Sequence, residues 1–153
     1  MYFSRKSILK LISNDKIRIS NFLDEYLGPV SYEMHLGNSI MIIEPISKSF
    51  EGSKPKEKVL KEIKIQDDGY TLRPKQFIIA KTLESVYCDE DIVGIFDGKA
   101  SLAQIGLFTN ISSTLVEPLT DSSITCEIFN CSNFPIKLFK KQKIGQIFFS
   151  GLG

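Results

Sequence analysis

Short runs of alternating apolar and polar residues dominate the chain after its first fifteen positions. Before them, Ser4 suits a helix N-cap, and apolar residues recur at helical spacing up to Ile12, where Asn14 follows as a stop. The pattern predicts one short N-terminal helix. It then predicts strands at residues 17–19, 31–36, 39–44, 77–83, 92–96, 124–130, 136–139 and 144–149.

The predicted strands are short and are separated by turn signals such as Gly37-Asn38, with no long helices between them. This order favours a mainly antiparallel barrel or sandwich over a doubly wound parallel sheet. Residues 47–64 are the segment least suited to the hydrophobic core, because they carry charges of both signs. This pattern predicts an exposed loop rather than a binding element. No repeat or linker divides the chain, so we expect one domain over residues 1–153.

Composition narrows the class of function. The 153 residues carry a net charge of +1, and the charged residues are balanced in sign. A dedicated nucleic-acid binder needs a basic surface for phosphate contacts, so we expect no nucleic-acid partner. No segment approaches the roughly 20 apolar residues of a membrane-spanning helix, and residues 1–6 lack the pattern of a secretory signal. We therefore expect no membrane association and a cytoplasmic location.

The single histidine and the three cysteines argue against several chemistries. Cys88, Cys126 and Cys131 are odd in number and have no CxxC spacing, which predicts free thiols rather than a zinc site or a disulfide framework. His35 alternates with apolar neighbours and is predicted to be a structural strand residue; a Cys–His pair is an alternative that no local pattern supports. Hydrolytic chemistry would therefore rest on a carboxylate and bound water.

The first segment with candidate chemistry is residues 94–107. It reads as a strand, a turn at Gly98 and a short helical segment that begins near Ser101 and can end at Gly106. Backbone N–H groups and a hydroxyl at such a turn can hold an anionic phosphate. A serine that only caps the helix is the commoner outcome of this pattern.

The second segment is the predicted strand 124–130, which places Glu127 in mid-strand. Thr125 and Phe129 share its face, so the carboxylate has apolar or weakly polar neighbours. A covered Glu127 would need a partner or a function, whereas an exposed one would be an ordinary surface residue. Periodicity leaves both alternatives open.

The third segment, residues 140–149, is a basic turn followed by an apolar strand. Gln146 interrupts this strand, and its amide needs a hydrogen-bond partner if it is buried. The lysines by themselves suit a solvated turn.

Taken in order, these segments resemble the dCTP deaminase and trimeric dUTPase superfamily. The matching motifs are Asp-Gly-Lys-Ala-Ser-Leu-Ala at 97–103, Glu-Pro at 117–118, Glu-Ile-Phe-Asn at 127–130 and Lys-Ile-Gly-Gln at 143–146. The predicted helix and residues 31–38 are also similar to the start of dCTP deaminases. The resemblance therefore covers nearly the whole chain.

The resemblance implies a distorted jelly-roll β-barrel of the dUTPase-like type with a short N-terminal helix, assembled as a homotrimer with sites between subunits. It implies a deoxynucleoside triphosphate as ligand and deamination of dCTP to dUTP, with Mg²⁺ bound through the phosphates and no metal ligand from the protein. Glu127 falls on the position of the family's water-activating glutamate. The implied nucleotide-binding residues are Lys99, Ala100, Ser101, Gln104, Glu117 and Gln146.

The sequence departs from the family pattern at several positions. Ala100 stands where the family has a serine of the catalytic site, and Gln104 and Leu115 stand in place of arginines. Glu117 replaces an aspartate, and the sequence given ends at Gly153, so we expect no segment that closes over the nucleotide. Loss of a charged partner in such a site costs ~2–4 kcal/mol. The hypotheses are an active dCTP deaminase, a non-catalytic trimer that binds a nucleotide or a protein, and an enzyme with altered nucleotide choice.

Overall fold

The computed structural model describes residues 1–53, 58–112 and 115–153. Its helices are α1 (Arg5–Ser13) and α2 (Ala100–Ala103), with a 3-10 turn at Asp24–Tyr26. Its strands are β1 (Ile17–Ile19), β2 (Ser31–Pro45), β3 (Lys58–Lys64), β4 (Tyr70–Leu72), β5 (Phe77–Cys88), β6 (Ile92–Gly98), β7 (Leu107–Phe108), β8 (Leu115–Val116), β9 (Asp121–Asn130), β10 (Ile136–Leu138) and β11 (Lys143–Gly151).

One large antiparallel sheet contains most of these strands. Across the described residues its order is β7-β9-β5-β2-β11-β6-β8, while β1 pairs with β5 and β3 pairs with β2. Strands β4 and β10 form a separate pair. The sheet curls into a half-barrel, so the mainly β fold with a short N-terminal helix that the sequence predicts is confirmed.

Helix α1 forms where the sequence predicts it. The Ser4 hydroxyl accepts a hydrogen bond from the Ser7 backbone N at 3.3 Å, which satisfies one free N–H of the first turn. Ile8 is fully buried and attaches the helix to the core. The helix ends at Asn14, its C-cap, and Asp15 follows in the left-handed region at φ 58°.

The core lies on the inner face of the curled sheet. In β9 the alternation buries Ile124, Cys126 and Ile128 and turns Glu127 to the outer face. The register also aligns Phe77 of β5, Phe129 of β9 and Phe108 of β7 across three neighbouring strands. We call these three residues the phenylalanine row. Phe77 and Phe108 are 39% and 44% exposed, so the row leaves an apolar stripe on the outer face.

The turn predicted at Gly37-Asn38 is wrong, because β2 runs without interruption from Ser31 to Pro45. The pairing register with β5 shifts between Leu36 and Ile40, so the strand contains an irregularity rather than a turn. A Cβ at Gly37 would lie 2.8 Å from the Lys81 carbonyl oxygen. The glycine therefore permits close approach of two strands.

The loop predicted over residues 47–64 is also wrong in its second half. Residues 58–64 form β3, which pairs antiparallel with residues 39–45 of β2. Nearly every residue of β3 is exposed on both faces, so no core imposes an alternation of apolar and polar residues. Residues 54–57 of the predicted loop lie outside the described part of the chain.

The remaining strand predictions differ from the structure mainly in their bounds. Strand β5 extends beyond residue 83 to Cys88, and β10 ends at Leu138. The two-residue strands β7 and β8 were not predicted, because two residues show no periodicity. The three-residue β4 was not predicted either.

Candidate functional site

The turn between β6 and α2 lies where the sequence predicts a phosphate-binding turn. Strand β6 ends at Gly98, whose backbone N donates to Asp97 Oδ1 at 2.7 Å. Lys99 is the N-cap of α2 in an extended conformation and makes no side-chain capping bond. Ser101 therefore does not cap the helix, and its exposed hydroxyl is available to a ligand. Gly106 ends the segment at φ 82°, as predicted.

Strand β11 brings Gln146 to this turn. The register pairs Gly145 with Gly98 and Gln146 with Asp97. The Ser31 hydroxyl donates to Gln146 Oε1 at 2.9 Å, which leaves the amide NH₂ of Gln146 as the donor. The predicted need of this amide for a partner is met by a residue 115 positions away.

Two cavities border the turn and share Lys99, Ala100 and Gln146 in their linings. The first, about 320 Å³, is also lined by Asp97, Gly98, Ala103, Leu107, Phe108, Thr109 and Asn110. The second, about 340 Å³, is also lined by Glu33, Ser101 and Gly145. We call them the Asp97 cavity and the Ser101 cavity. Lys99 supplies a positive charge to both, and Glu33 in the Ser101 cavity is neutralised by Lys143 at 2.5 Å.

Glu127 lies on the outer face of β9, half-buried, in register with Ile79 of β5. Ser112, in the loop after β7, donates to both carboxylate oxygens: its backbone N to Oε2 at 2.8 Å and its hydroxyl to Oε1 at 2.6 Å. The structure thus lies between the two alternatives that periodicity left open, since Glu127 is half-buried and its carboxylate is hydrogen-bonded by Ser112.

Glu117 and Gln104 line two other cavities. Glu117 contributes to a groove of about 390 Å³. Hydroxyl side chains line it at Thr120, Ser122, Ser123 and Thr125, and apolar side chains line it at Leu115, Val116 and Ile124. Gln104 lies beside Ile105 and Phe134 in a more open groove of about 570 Å³. Within one chain, the structure thus brings Lys99, Ala100, Ser101 and Gln146 together, and it places Glu117, Gln104 and Glu127 outside the two cavities at the turn.

The histidine and the three cysteines are buried or half-buried. His35 is 5% exposed, and its Nδ1 lies 2.5 Å from Oε1 of buried Glu84. Its predicted position in a strand is confirmed, because it lies in β2. Cys88 and Cys126 are buried and Cys131 is half-buried, and all three are free, as predicted. Burial raises the pKa of the Cys88 and Cys126 thiols to about 12, because an apolar environment disfavours the thiolate.

Two general features of the described residues bear on function. Among these residues, no three side chains of His, Cys, Asp or Glu lie close enough together to hold a metal ion. No helix in the described part of the chain is long and apolar enough to cross a membrane.

Comparison with protein families gives a match over nearly the whole chain. The model of dCTP deaminase-like proteins matches residues 2–152. The chain belongs to the dCTP deaminase-like family. The resemblance drawn from the motifs is therefore confirmed.

Relatives of this dCTP deaminase-like chain include two bacterial proteins named "dCTP deaminase, dUMP-forming". The protein of Streptomyces coelicolor is 31% identical over 152 residues, covering 96% of this chain and 78% of the relative. The protein of a Sulfurihydrogenibium species is 28% identical, covering 98% of this chain and 83% of the relative.

Solved structures show the same fold. The dCTP deaminase of Agrobacterium tumefaciens matches 99% of this chain with a TM-score of 0.73 and 21% identity, and the matched part is 48% of that longer chain. A dUTPase of a Staphylococcus bacteriophage matches 90% of this chain and 83% of its own with a TM-score of 0.54 and 11% identity. Another dUTPase, from phage phi11 of S. aureus, coordinates a structural Mg(II) ion and has a TM-score of 0.54 and 10% identity.

Sequence reasoning missed two residues of the candidate site. Ser31 orients Gln146, and Ser112 holds Glu127. Ser31 begins a predicted strand, but nothing local shows that its partner is on the last strand. Ser112 lies between predicted elements, and a lone serine in a loop carries no signal of its own.

Proposed function

We propose that this chain is a hydrolase that deaminates a deoxypyrimidine nucleoside triphosphate, with dCTP as substrate and dUTP as product. The observation that carries the proposal is the arrangement of Lys99, Ser101 and Gln146 around the two cavities at the β6–α2 turn. Membership of the dCTP deaminase-like family supports the substrate class.

The turn would bind the triphosphate. Lys99 offers a positive charge, the Ser101 hydroxyl and the Gln146 amide offer hydrogen bonds, and phosphate oxygens accept both kinds of contact. The ion pair between Glu33 and Lys143 reduces the repulsion that a free carboxylate would exert on a phosphate at this place. Ala100 supplies only a methyl group to both cavities.

Mg²⁺ would enter with the nucleotide, bound through its phosphates. Mg²⁺ prefers oxygen ligands, keeps several waters and is commonly held by one or two carboxylates together with substrate phosphates. The exposed Asp97 carboxylate lines the cavity at the turn, so its negative charge would attract the hydrated ion that the phosphates hold. The charge that the ion supplies would compensate part of the phosphate charge.

Glu127 would act as the general base. It would take a proton from water as the water oxygen bonds to C4 of cytosine, and this proton would pass to the amino group, which leaves as ammonia. The second water proton would end on N3, so that the C4 oxygen becomes the uracil carbonyl. Glu127 lies opposite Ile79 and two positions before Phe129 of the phenylalanine row. This position supports the role, because covering this apolar face would exclude bulk water.

We propose that the covering surface is a second copy of the chain in a homotrimer, with sites between subunits. The exposed phenylalanine row supports this assembly, because contiguous apolar surface marks association sites. Such an assembly would also let Glu117 and Gln104, which lie outside the cavities at the turn, take part in a site shared by two chains. The buried free thiols Cys88 and Cys126 suit a reducing cytoplasm.

The test is turnover of dCTP and dUTP with Mg²⁺, followed by chromatographic separation of dCTP, dUTP and dUMP. We expect dUTP and ammonia from dCTP, and a loss of about a hundredfold or more in Glu127→Gln, because the amide cannot accept the proton. Glu90→Gln, an exposed glutamate in the turn after β5, is the matched control.

The outcomes separate the parts of the proposal. Unchanged turnover in Glu127→Gln would remove Glu127 from the mechanism, and no turnover of any deoxynucleotide would refute the enzyme. Formation of dUMP instead of dUTP would contradict the proposed product and would mean that pyrophosphate is also lost, as the names of the relatives suggest.

A second candidate function is a non-catalytic trimer that binds a nucleotide or a protein. Ala100 favours it, because this position lines both cavities and carries no polar group. Calorimetric binding of dCTP without product would support this candidate, and efficient deamination would exclude it.

A further inference from the structure

Ser112 makes a two-point contact with the Glu127 carboxylate. Its backbone N–H and its hydroxyl reach different oxygens, at 2.8 Å and 2.6 Å. Two donors from one residue fix both the position and the rotation of the carboxylate plane, which a single hydrogen bond leaves free to turn.

The direct cross-strand partner of Glu127 does not supply this orientation. Glu127 pairs with Ile79 on β5, an apolar residue that offers no side-chain donor to the carboxylate. Among the hydrogen bonds of the described residues, those that reach the carboxylate come from Ser112. The orientation of Glu127 therefore depends on a loop residue that belongs to none of the motifs found in the sequence.

We infer that Ser112 is a positioning residue for Glu127, an inference that rests on the proposed function. The hydroxyl holds Oε1 and the backbone N–H holds Oε2, so the carboxylate is presented in one orientation to the reacting water. A misplacement of a catalytic group by about 1 Å can cost a hundredfold in rate. Ser112 itself acts through Glu127 and needs no contact with the nucleotide.

The experiment is a double-mutant cycle on kcat and KM for dCTP. Ser112→Ala removes the hydroxyl and keeps the backbone donor, so we expect kcat to fall about tenfold to a hundredfold with little change in KM. Ser112→Thr keeps a hydroxyl and should restore most of kcat. Ser13→Ala is the matched control, because the Ser13 hydroxyl donates to the Lys10 carbonyl oxygen at the end of α1 and is remote from Glu127 in the sequence.

The cycle is completed in the Glu127→Gln background. There we expect Ser112→Ala to have no further effect on kcat, because the group that it positions is already lost. Equal losses in the two backgrounds, or a loss in KM alone, would overturn the inference. Failure of Ser112→Thr to restore kcat would overturn it as well.

A second readout separates this inference from the proposed function. The amide proton resonance of Ser112 should move upfield in Glu127→Gln, because the carboxylate acceptor is replaced by a neutral amide. If the chain does not turn over dCTP, the proposed function fails. The resonance then still tests whether the Ser112 N–H donates to the Glu127 carboxylate. A resonance that does not move would overturn the positioning role in either case.

Discussion

Replacing Gly145 with alanine tests whether close contact between β6 and β11 holds the β6–α2 turn in place. An added Cβ would lie 2.5 Å from the Asp97 carbonyl oxygen and 2.5 and 2.6 Å from two ring atoms of Phe96. The carbonyl belongs to the backbone, and Phe96 is fully buried, so neither can move cheaply.

The magnitude follows from these distances. Ordinary contact would require β6 and β11 to separate by about 1 Å, and overpacking of this kind costs about 1–3 kcal/mol. For a domain of this size, 1 kcal/mol corresponds to roughly 2–4 °C in Tm, so we expect Gly145→Ala to lower Tm by about 2–12 °C. Because Asp97 directly precedes the turn, the same displacement should weaken dCTP binding about tenfold.

The assay combines thermal unfolding with calorimetric titration of dCTP in the presence of Mg²⁺. Gly151→Ala is the matched control, since Gly151 lies on the same strand and its Cβ would meet Phe3 at an ordinary 3.4 Å. If Gly145→Ala matched Gly151→Ala in both Tm and affinity, the steric reasoning would be refuted. Lower Tm with unchanged affinity would refute only the link between this contact and the turn.

Three further predictions concern the outer surface and the core. Leu119→Gly should raise the free energy of unfolding in urea by about 0.5–1 kcal/mol, because Leu119 lies at φ 60° and glycine relieves that strain; a lower value would contradict this. Native protein at pH 8 should react with a thiol reagent at Cys131 alone, since burial keeps Cys88 and Cys126 protonated; rapid labelling of three thiols would contradict burial. Phe108→Asp should dissociate the proposed homotrimer, measured by light scattering after gel filtration, and an unchanged mass would exclude the phenylalanine row as the interface.

The fold was predictable where one face of a strand meets the core. In β9, burial alternates along the strand, and the sequence carries the same alternation from Ile124 to Ile128. Prediction failed where tertiary contacts decide the backbone. Gly37 has the composition of a turn, but the approach of the Lys81 carbonyl oxygen explains the glycine within a continuous strand.

The candidate site was predictable in its parts but not in its assembly. The β6–α2 turn is a local feature, so residues 97–103 show it directly. That Gln146 meets this turn follows from the pairing of β11 with β6, which no local pattern encodes. Ser112 was missed because its contact with Glu127 joins a loop to a strand 15 residues away.

The charged side chains of β3 bear on whether two molecules of this protein can pair through their sheet edges. Among the described strands, β3 pairs with β2 alone, so its far side offers unpaired backbone donors and acceptors. Such an edge is a template for uncontrolled strand addition, and lysines on the edge oppose it. Lys58, Lys61 and Lys64 lie along β3 and are exposed. The same charges led the sequence analysis to predict a loop here. In the folded protein they oppose pairing of β3 with a strand of another molecule, and so oppose aggregation.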